Sequence, residues 1–322
     1  MRKQSYPHIQ SLDLGNIAPG SQQRFWFDIV ENAFGEPMSI PIMIKRGKED
    51  GPIVGITAAV HGNELNGIPV IHRLFRELEN TPIKGTVIGL PVVNAPSFFQ
   101  KQRRFIDNVD LNHVMPGVED GNVSQAYSYR FFEEIVKQFD YLLDLHTAST
   151  GRINSYYIRA DMDDKVTRDL ALLQNAQIIV HNPPSDGTVR GAASLHGIRA
   201  ITLEVGNPSL FQKGMIRTSM TGLYNALIYL NILEDDIEEP DTDPVICDSS
   251  FWMYTETGGL LTVPPGLTKV VQKGELIATQ TNIFGEKIKD YHAPEAGIVI
   301  GKSTSPVNQT GGRILHLGRI RS

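Results

Sequence analysis

The sequence predicts an α/β protein whose mostly parallel or mixed central sheet is flanked by helices and followed by a small all-β unit. From Gly51 to Leu233, continuous apolar runs that suit buried strands alternate with segments of helical periodicity. An acidic, proline-punctuated stretch, EDDIEEPDTDP, then interrupts the pattern, and only short strand candidates follow it. We therefore predict one domain over residues 1–238 and a C-terminal β domain over residues 239–322.

The individual elements follow from these patterns in chain order. RFWFDIV and SIPIMIKRG alternate in polarity around the turn-like ENAFGEP, which predicts an antiparallel pair. The next strands are predicted at PIVGITAAV, GTVIGLPVV, YLLDLH, AQIIVHN and IRAITLEVG. Helices are predicted at LNGIPVIHRLFREL, SQAYSYRFFEEIVKQF, DDKVTRDLALLQNA and within QKGMIRTSMTGLYNALIYLNIL. After the acidic stretch, strands are predicted at VICDSSFWMYT, GLLTV, KVVQKGELIATQTN, KIKDYHAP, GIVIGKST and ILHLGRI.

Composition limits the classes of function. The 322 residues are 41% apolar and 20% charged with a net charge of -6, which describes a soluble globular protein without the basic patch that nucleic acid requires. The longest apolar runs are shorter than the ~20 residues of a membrane span, and the N-terminus lacks the apolar region of a secretory signal. We expect a cytoplasmic protein with no membrane partner and leave a homo-oligomer open. Because Cys247 is the single cysteine, any metal must be held by histidine and carboxylate.

Unusual polar residues fall at the predicted strand ends. His61 and Glu64 follow the strand PIVGITAAV, the strand YLLDLH contains Asp144 and His146, and Glu204 lies in the otherwise apolar AITLEVG. Ligands of α/β proteins bind in the crevice beyond the carboxyl ends of the strands, so these positions are the candidate site.

Each residue also has an ordinary structural explanation. His61 could be a polar turn residue, Glu64 a first-turn carboxylate favoured by the helix dipole, and His146 a core histidine. Glu204 could form a buried salt bridge with an arginine. Taken together, however, two imidazoles and one carboxylate are the ligands of a catalytic zinc that keeps one position for water, and Glu204 would be the base that deprotonates this water.

The order of these motifs resembles that of a known family. HGNE, then DLHTAS, then LEVG is similar to the succinylglutamate desuccinylase/aspartoacylase family, a branch of the zinc carboxypeptidase-like hydrolases. Between them, PVVNAPSFFQKQRRFIDNVDLNHVMPG matches the asparagine-proline turn and the arginine followed by D-L-N-R of that family. The resemblance covers about 50–235, and the C-terminal strands are similar to the family's β domain. It implies a zinc-carboxypeptidase-like fold.

The resemblance also implies the roles of the central residues. His61, Glu64 and His146 match the ligands of one zinc ion per chain, and Glu204 matches the general base. Asp144 lies on the strand face that carries His146, so we expect it beside the ligands or in the substrate pocket.

Further positions match the family's substrate contacts. These are Asn112 and one of Arg103 and Arg104; we favour Arg104, because the family's R-F-x-x-D arrangement resembles RFIDN, and expect it to stabilise the oxyanion. Arg190 resembles another substrate-binding arginine, with a salt bridge over a loop as the alternative.

One departure from the family concerns the substrate. The D-L-N-R motif is D-L-N-H here, so His113 stands where the family has an arginine. A histidine cannot reproduce the bidentate fork that grips a carboxylate, which argues against N-acetylaspartate and C-terminal peptides as substrates.

We therefore predict a zinc-dependent amidohydrolase that removes an acetyl- or succinyl-type N-acyl group from an amino acid or related amine, its small-molecule substrate. The alternatives are a metallocarboxypeptidase or esterase on the same scaffold, or a binding protein with a vestigial metal site.

Overall fold

A computed structural model describes residues 6–184, 187–240 and 242–321. The ends of the two predicted domains, at 1 and 322, and the first five residues of the N-terminal segment lie outside these ranges. The described residues form one large sheet with helices on both faces and a second, small sheet. This architecture confirms the predicted α/β fold class. Within the same residues, we find no helix with the length and apolarity that a membrane span requires.

The described elements are numbered in chain order. The helices are α1 (Gly67–Leu78), α2 (Ala95–Gln100), α3 (Val123–Glu134), α4 (Lys165–Leu172), α5 (Val189–Leu195) and α6 (Lys213–Tyr229). The strands up to α6 are β1 (His8–Ile9), β2 (Gln22–Glu31), β3 (Pro37–Arg46), β4 (Glu49–Ala58), β5 (Lys84–Leu90), β6 (Tyr141–His146), β7 (Arg152–Asn154), β8 (Tyr156–Ala160), β9 (Ile178–His181) and β10 (Arg199–Val205). The strands after α6 are β11 (Val245–Tyr254), β12 (Gly259–Thr262), β13 (Val270–Val271), β14 (Leu276–Thr281), β15 (Lys287–His292), β16 (Gly297–Ser303), β17 (Val307–Asn308) and β18 (Arg313–Ile320).

The large sheet is mixed, with a parallel centre. Its strand order is β1-β2-β3-β5-β4-β6-β10-β8-β9-β11-β18-β16-β13, and β7 pairs with β16 at the side. Strands β5, β4, β6 and β10 are parallel, whereas β3 and β8 run antiparallel to their neighbours β5 and β10. The carboxyl ends of β4, β6 and β10 therefore lie side by side at one edge of the sheet.

Two apolar clusters cover the two faces of this sheet. Helices α1, α4 and α6 pack on one face, where Leu143 and Leu145 of β6 point. Helices α2, α3 and α5 pack on the other face, with Leu142 of β6. Both faces are buried because crossover helices cover the parallel strands, which explains the continuous apolar runs in the sequence.

The C-terminal strands are placed in two sheets. Strands β11, β18, β16 and β13 extend the large sheet, since β11 pairs in parallel with β9 through Val245 and Ile178. Strands β15, β14, β12 and β17 form the separate small sheet. The hydrogen-bonded join at β9 and β11 brings this part of the chain next to the parallel strands, while the division into two domains stays a prediction.

Six of the numbered helices and strands lie in segments for which we predicted no helix or strand: β1, α2, β7, β8, α5 and β17. They have two to seven residues, too few to display a periodic pattern. Strand β8 has the largest structural consequence, because it is inserted between β10 and β9 and runs antiparallel to β10.

Candidate metal centre and active site

Three adjacent parallel strands position the central residues of the site. His61 and Glu64 lie in the turn after β4, His146 is the last residue of β6, and Glu204 lies near the end of β10. Glu204 and His146 are directly opposite each other in the parallel register, so their side chains leave the same face of the sheet. Glu64 and Glu204, which are 140 positions apart in the sequence, thus lie at the same edge of the sheet.

The turn that carries His61 is packed tightly against α2. A Cβ atom on Gly62 would lie 2.1 Å from the backbone carbon of Ser97, so this position has no room for a side chain. Two residues before His61, Ala59 adopts a left-handed φ of 50°. The close approach and the unusual backbone turn fix the direction in which His61 and Glu64 leave the strand.

His61, Glu64 and His146 form a compact, buried cluster. Their nitrogen and oxygen atoms all lie within 4.8 Å of one another. Nδ1 of His61 is 3.1 Å from Oε1 of Glu64, and Nδ1 of His146 is 3.1 Å from Oε2 of the same carboxylate. The backbone N–H of Thr147 and the hydroxyl of Ser149 also donate to Glu64, so the DLHTAS loop holds the carboxylate in place.

A second carboxylate lies behind each imidazole. Nε2 of His61 is 2.9 Å from Oδ1 of Asp110, and Nε2 of His146 is 2.8 Å from Oδ2 of Asp144. The hydroxyl of Thr57 donates to the other oxygen of Asp144 at 2.6 Å. Carboxylates that accept the second N–H of an imidazole fix its ring and tautomer, leaving the other nitrogen to bind metal. The two Nδ1 atoms and the Glu64 carboxylate therefore fit a zinc ion.

Asp144 is completely buried and lies outside the cavity lining. Its two oxygens contact His146 and Thr57, so the structure places it beside the candidate ligand His146, and its role stays a prediction.

The electrostatics of the cluster suit a cation site. Burial raises the pKa of Glu64, but the imidazoles of His61 and His146 outweigh burial and hold this pKa well below its ordinary value. Burial lowers the pKa of His146, but Asp144 and Glu64 outweigh it and hold this pKa well above its ordinary value. The Glu64 carboxylate is therefore ionised, as a metal ligand must be.

Replacing Asp144 with asparagine is expected to weaken zinc binding about 10- to 100-fold, since His146 would lose the carboxylate that fixes its tautomer. A competition titration with a chromogenic chelator measures the zinc Kd. An unchanged Kd in a variant with normal thermal unfolding would contradict the positioning role.

Glu204 faces the cluster from the neighbouring strand, with 14% of its side chain exposed. Nδ2 of Asn154 donates to its Oε2 at 3.2 Å, and Nε of Arg159 lies 4.0 Å from its Oε1. Burial raises the pKa of Glu204, and the Glu64 charge raises it further, against the opposing effect of Arg159. A buried carboxylate with a raised pKa beside a metal site is well suited to take and return a proton.

The two candidate arginines occupy different positions. Nη1 of Arg103 is 2.9 Å from Oε1 of Glu64, and its Nε and Nη2 both lie 2.9 Å from Oδ2 of Asp110. Arg104 is exposed at the cavity rim, and its Nη1 donates to the backbone oxygen of Asn108. This placement favours Arg103 over Arg104, the residue that the R-F-x-x-D comparison favoured.

The remaining predicted substrate residues line the same cavity. Oδ1 of Asn112 accepts a hydrogen bond from the backbone of Val189. His113 is 68% exposed at the cavity mouth. Arg190 is buried and binds the backbone and side-chain oxygens of Asn182, so it is not the arginine of an exposed loop.

The cavity has a volume of about 490 Å³, enough for a small ligand. Several lining residues were not identified from sequence: Asp110, Ser149, Arg152, Asn154, Tyr157, Arg159, Trp252 and Arg313. Asp110 belongs to the D-L-N-H motif, so this motif could have identified it as a residue of the site. Trp252 and Arg313 reach the cavity from β11 and β18, and no sequence motif links them to the metal centre.

Comparison with known proteins identifies the family. The model of the succinylglutamate desuccinylase/aspartoacylase catalytic domain matches residues 50–230. The chain belongs to this family. It is 24% identical over 285 residues to the N-alpha-acetyl-L-2,4-diaminobutyric acid deacetylase of Halomonas elongata, covering 84% of this chain and 83% of that protein. It is 28% identical over 178 residues to the succinylglutamate desuccinylase of Pseudomonas paraeruginosa, covering 51% and 53% of the two chains.

A solved structure has the same fold as this chain. The product-bound ectoine utilization protein EutE (DoeB) from Ruegeria pomeroyi superposes with a TM-score of 0.83 at 22% identity. The superposition covers 92% of this chain and 94% of that one, so it includes the C-terminal strands as well as the catalytic domain.

Proposed function

We propose that this family member is a zinc-dependent hydrolase that removes an acyl group from the nitrogen of an amino acid or related amine. The observation that carries the proposal is the position of Glu204. It lies opposite His146 in the sheet register and lines the cavity that the His61, Glu64 and His146 cluster also lines. A water-activating carboxylate beside a site for zinc is the arrangement that promoted-water hydrolysis requires. The relatives named deacetylase and desuccinylase support the same reaction class.

His61 and His146, through Nδ1, and Glu64 would hold the ion. When bound, zinc lowers the pKa of a water molecule and polarises the scissile carbonyl. Glu204 takes the proton of the attacking water and then returns it to the leaving nitrogen, serving as base and acid in turn. Its raised pKa brings proton affinity closer to neutral pH, which suits both roles.

Arg103 is proposed to stabilise the oxyanion of the tetrahedral intermediate. Its guanidinium reaches into the metal centre and is held by Asp110, whereas that of Arg104 lies at the rim. Replacing Arg103 with methionine is expected to lower kcat about 100-fold or more, in line with the loss of one oxyanion donor. Arg104→Met is the matched control, because it removes the same charge from the adjacent residue. Equal losses in the two variants would contradict this assignment.

The first test is a substrate screen of the zinc-loaded protein. N-acetyl and N-succinyl amino acids and amines are incubated with the protein, release of free amine is measured, and metal content is determined on the same sample. Hydrolysis that requires zinc supports the proposal. Loaded protein that cleaves none of these amides would refute it.

The alternatives are tested in the same assay. A carboxypeptidase would cleave peptides with a free C-terminus but not their C-terminal amides, and an esterase would cleave activated esters alone. A vestigial site would leave every substrate intact. The exposed His113 disfavours the carboxypeptidase, since it lacks the guanidinium fork for a terminal carboxylate.

A further inference from the structure

The cavity has more positive than negative charge. Of the described residues that line it, six are arginines and three are carboxylates: Arg103, Arg104, Arg152, Arg159, Arg190 and Arg313, with Glu64, Asp110 and Glu204. Arg103 pairs with Glu64 and Asp110, and Arg159 approaches Glu204. The three carboxylates therefore lie beside arginines other than Arg152 and Arg313.

Arg152 and Arg313 are held over one aromatic ring. Their guanidinium carbons lie 5.6 Å and 5.2 Å from the ring centroid of Trp252. Over residues 6–184, 187–240 and 242–321, neither side chain forms an ion pair or a hydrogen bond. Cation–π contact holds a guanidinium while leaving its N–H edge available to a planar anion.

The imidazole ring that stacks on Trp252 adds no charge to this pair. His316 stacks on Trp252 with a ring separation of 4.9 Å and an interplanar angle of 8°. Burial, followed by the charges of Arg159, Arg313 and Arg152, holds the pKa of His316 well below its ordinary value, so it is neutral. Burial likewise lowers the pKa of Arg152, and the charges of Arg313 and Arg103 lower it further, against the opposing charges of Glu64 and Glu204 across the cavity. Two like charges kept together in a partly buried setting favour the binding of an anion.

The two arginines come from different parts of the chain. Arg152 begins β7, and its backbone N–H bonds to Ser149 in the loop that follows the metal-ligand strand β6. Arg313 begins β18, in the C-terminal part. The position at which the family has its D-L-N-R arginine is occupied here by the exposed His113. Arg152 and Arg313 therefore bring two guanidinium groups to the same cavity, on the side where Trp252 lies.

We propose that Arg152 and Arg313, held over Trp252, form a carboxylate-binding subsite that selects the substrate of the proposed deacylation. This inference rests on the proposed function. The carboxylate could be supplied by a dicarboxylic acyl group such as succinyl or by the amino acid, and the chemistry of recognition is the same in both.

The test compares matched acid and amide substrates. The best N-acyl amino acid of the screen is assayed beside its amino-acid carboxamide, and its N-succinyl form is assayed beside its N-succinamoyl form. Wild-type kcat/KM is expected to fall about 10- to 100-fold when the recognised carboxylate becomes an amide, as for loss of a hydrogen bond to a charged group. Arg152→Met and Arg313→Met are expected to remove that preference mainly through KM, and the lysine variants to restore part of it. The substrate pair for which the variants lose their preference for the acid shows whether the acyl group or the amino acid supplies the carboxylate.

Arg319→Met is the matched control. Arg319 lies near the end of β18, outside the set of residues that line the cavity, and its guanidinium carbon is likewise over an aromatic ring, 4.5 Å from the centroid of Phe251. The Arg319→Met variant is expected to keep the wild-type preference for the acid over the amide substrate. Zinc content and thermal unfolding of each variant show whether the fold and the metal centre are intact.

Two results would overturn the inference in different ways. If Arg152→Met and Arg313→Met lower activity on acid and amide equally, or leave both unchanged, the subsite is refuted while the hydrolase remains. If zinc-loaded wild type hydrolyses no N-acyl substrate, the proposed function fails and the inference fails with it.

Discussion

Replacing Glu204 with glutamine is expected to lower kcat/KM by about 1,000-fold or more while one zinc ion per chain is retained, because a general base contributes up to roughly 10⁴-fold. Glutamine has the shape of glutamate and can still accept the hydrogen bond from Asn154, but it cannot take a proton from water. The proposed metal ligands lie at the end of β6 and in the turn after β4, so this substitution on β10 leaves them in place. Kinetics on a good N-acyl substrate, with metal analysis of the same sample, measure both quantities.

Thermal unfolding provides the control for Glu204→Gln. The wild-type carboxylate is desolvated, which is why its pKa is raised, so an uncharged side chain should leave the unfolding temperature unchanged or higher. Loss of activity with intact zinc and intact stability would assign the effect to proton transfer. Near-normal turnover would remove Glu204 from the mechanism.

Replacing His146 with alanine is expected to abolish stable zinc binding and, with it, activity. This change removes one of only two imidazoles from the ligand cluster and leaves Asp144 as a buried carboxylate without its partner. Zinc content after dialysis should fall from about one ion per chain to a small fraction of this value. Elemental analysis of the folded variant is the measurement.

A second cluster of potential metal ligands among the described residues gives a matched control for His146→Ala. Asp161, Asp163 and His181 also bring potential ligand atoms together, but Asp163 is 85% exposed and Nδ1 of His181 already accepts the backbone N–H of Met162. His181→Ala is therefore expected to keep full zinc content and activity. Zinc that remains in His146→Ala and disappears in His181→Ala would place the ion at the wrong cluster and overturn the ligand assignment.

The sequence was most informative where an element is long and its chemistry is unusual. Buried strands and amphipathic helices of ten or more residues were predicted because their periodicity is visible without a neighbour. His61 and Glu64 stood out for the same kind of reason, since polar residues after an apolar strand need an explanation. The segments without periodic pattern, such as β8 with Arg159, were missed.

The choice between Arg103 and Arg104 shows what a sequence motif cannot resolve when two candidate residues are adjacent. A pattern of residue types cannot distinguish two neighbouring arginines in a loop, because the direction of each side chain depends on the backbone conformation of the folded loop. Only the folded loop places Arg103 against Glu64 and turns Arg104 toward Asn108.

By itself, the sequence determined the α/β fold class and the family, and it predicted the group of two histidines and one glutamate that the structure brings together, because local periodicity and ordered motifs carry this information. The tertiary structure decided which side chains share a cavity. The pairing of β11 with β9 brings Trp252 and Arg313 to the wall that Arg152 reaches from the metal-ligand loop. These contacts join residues about a hundred or more positions apart, and such pairings depend on sheet order, which no local pattern encodes.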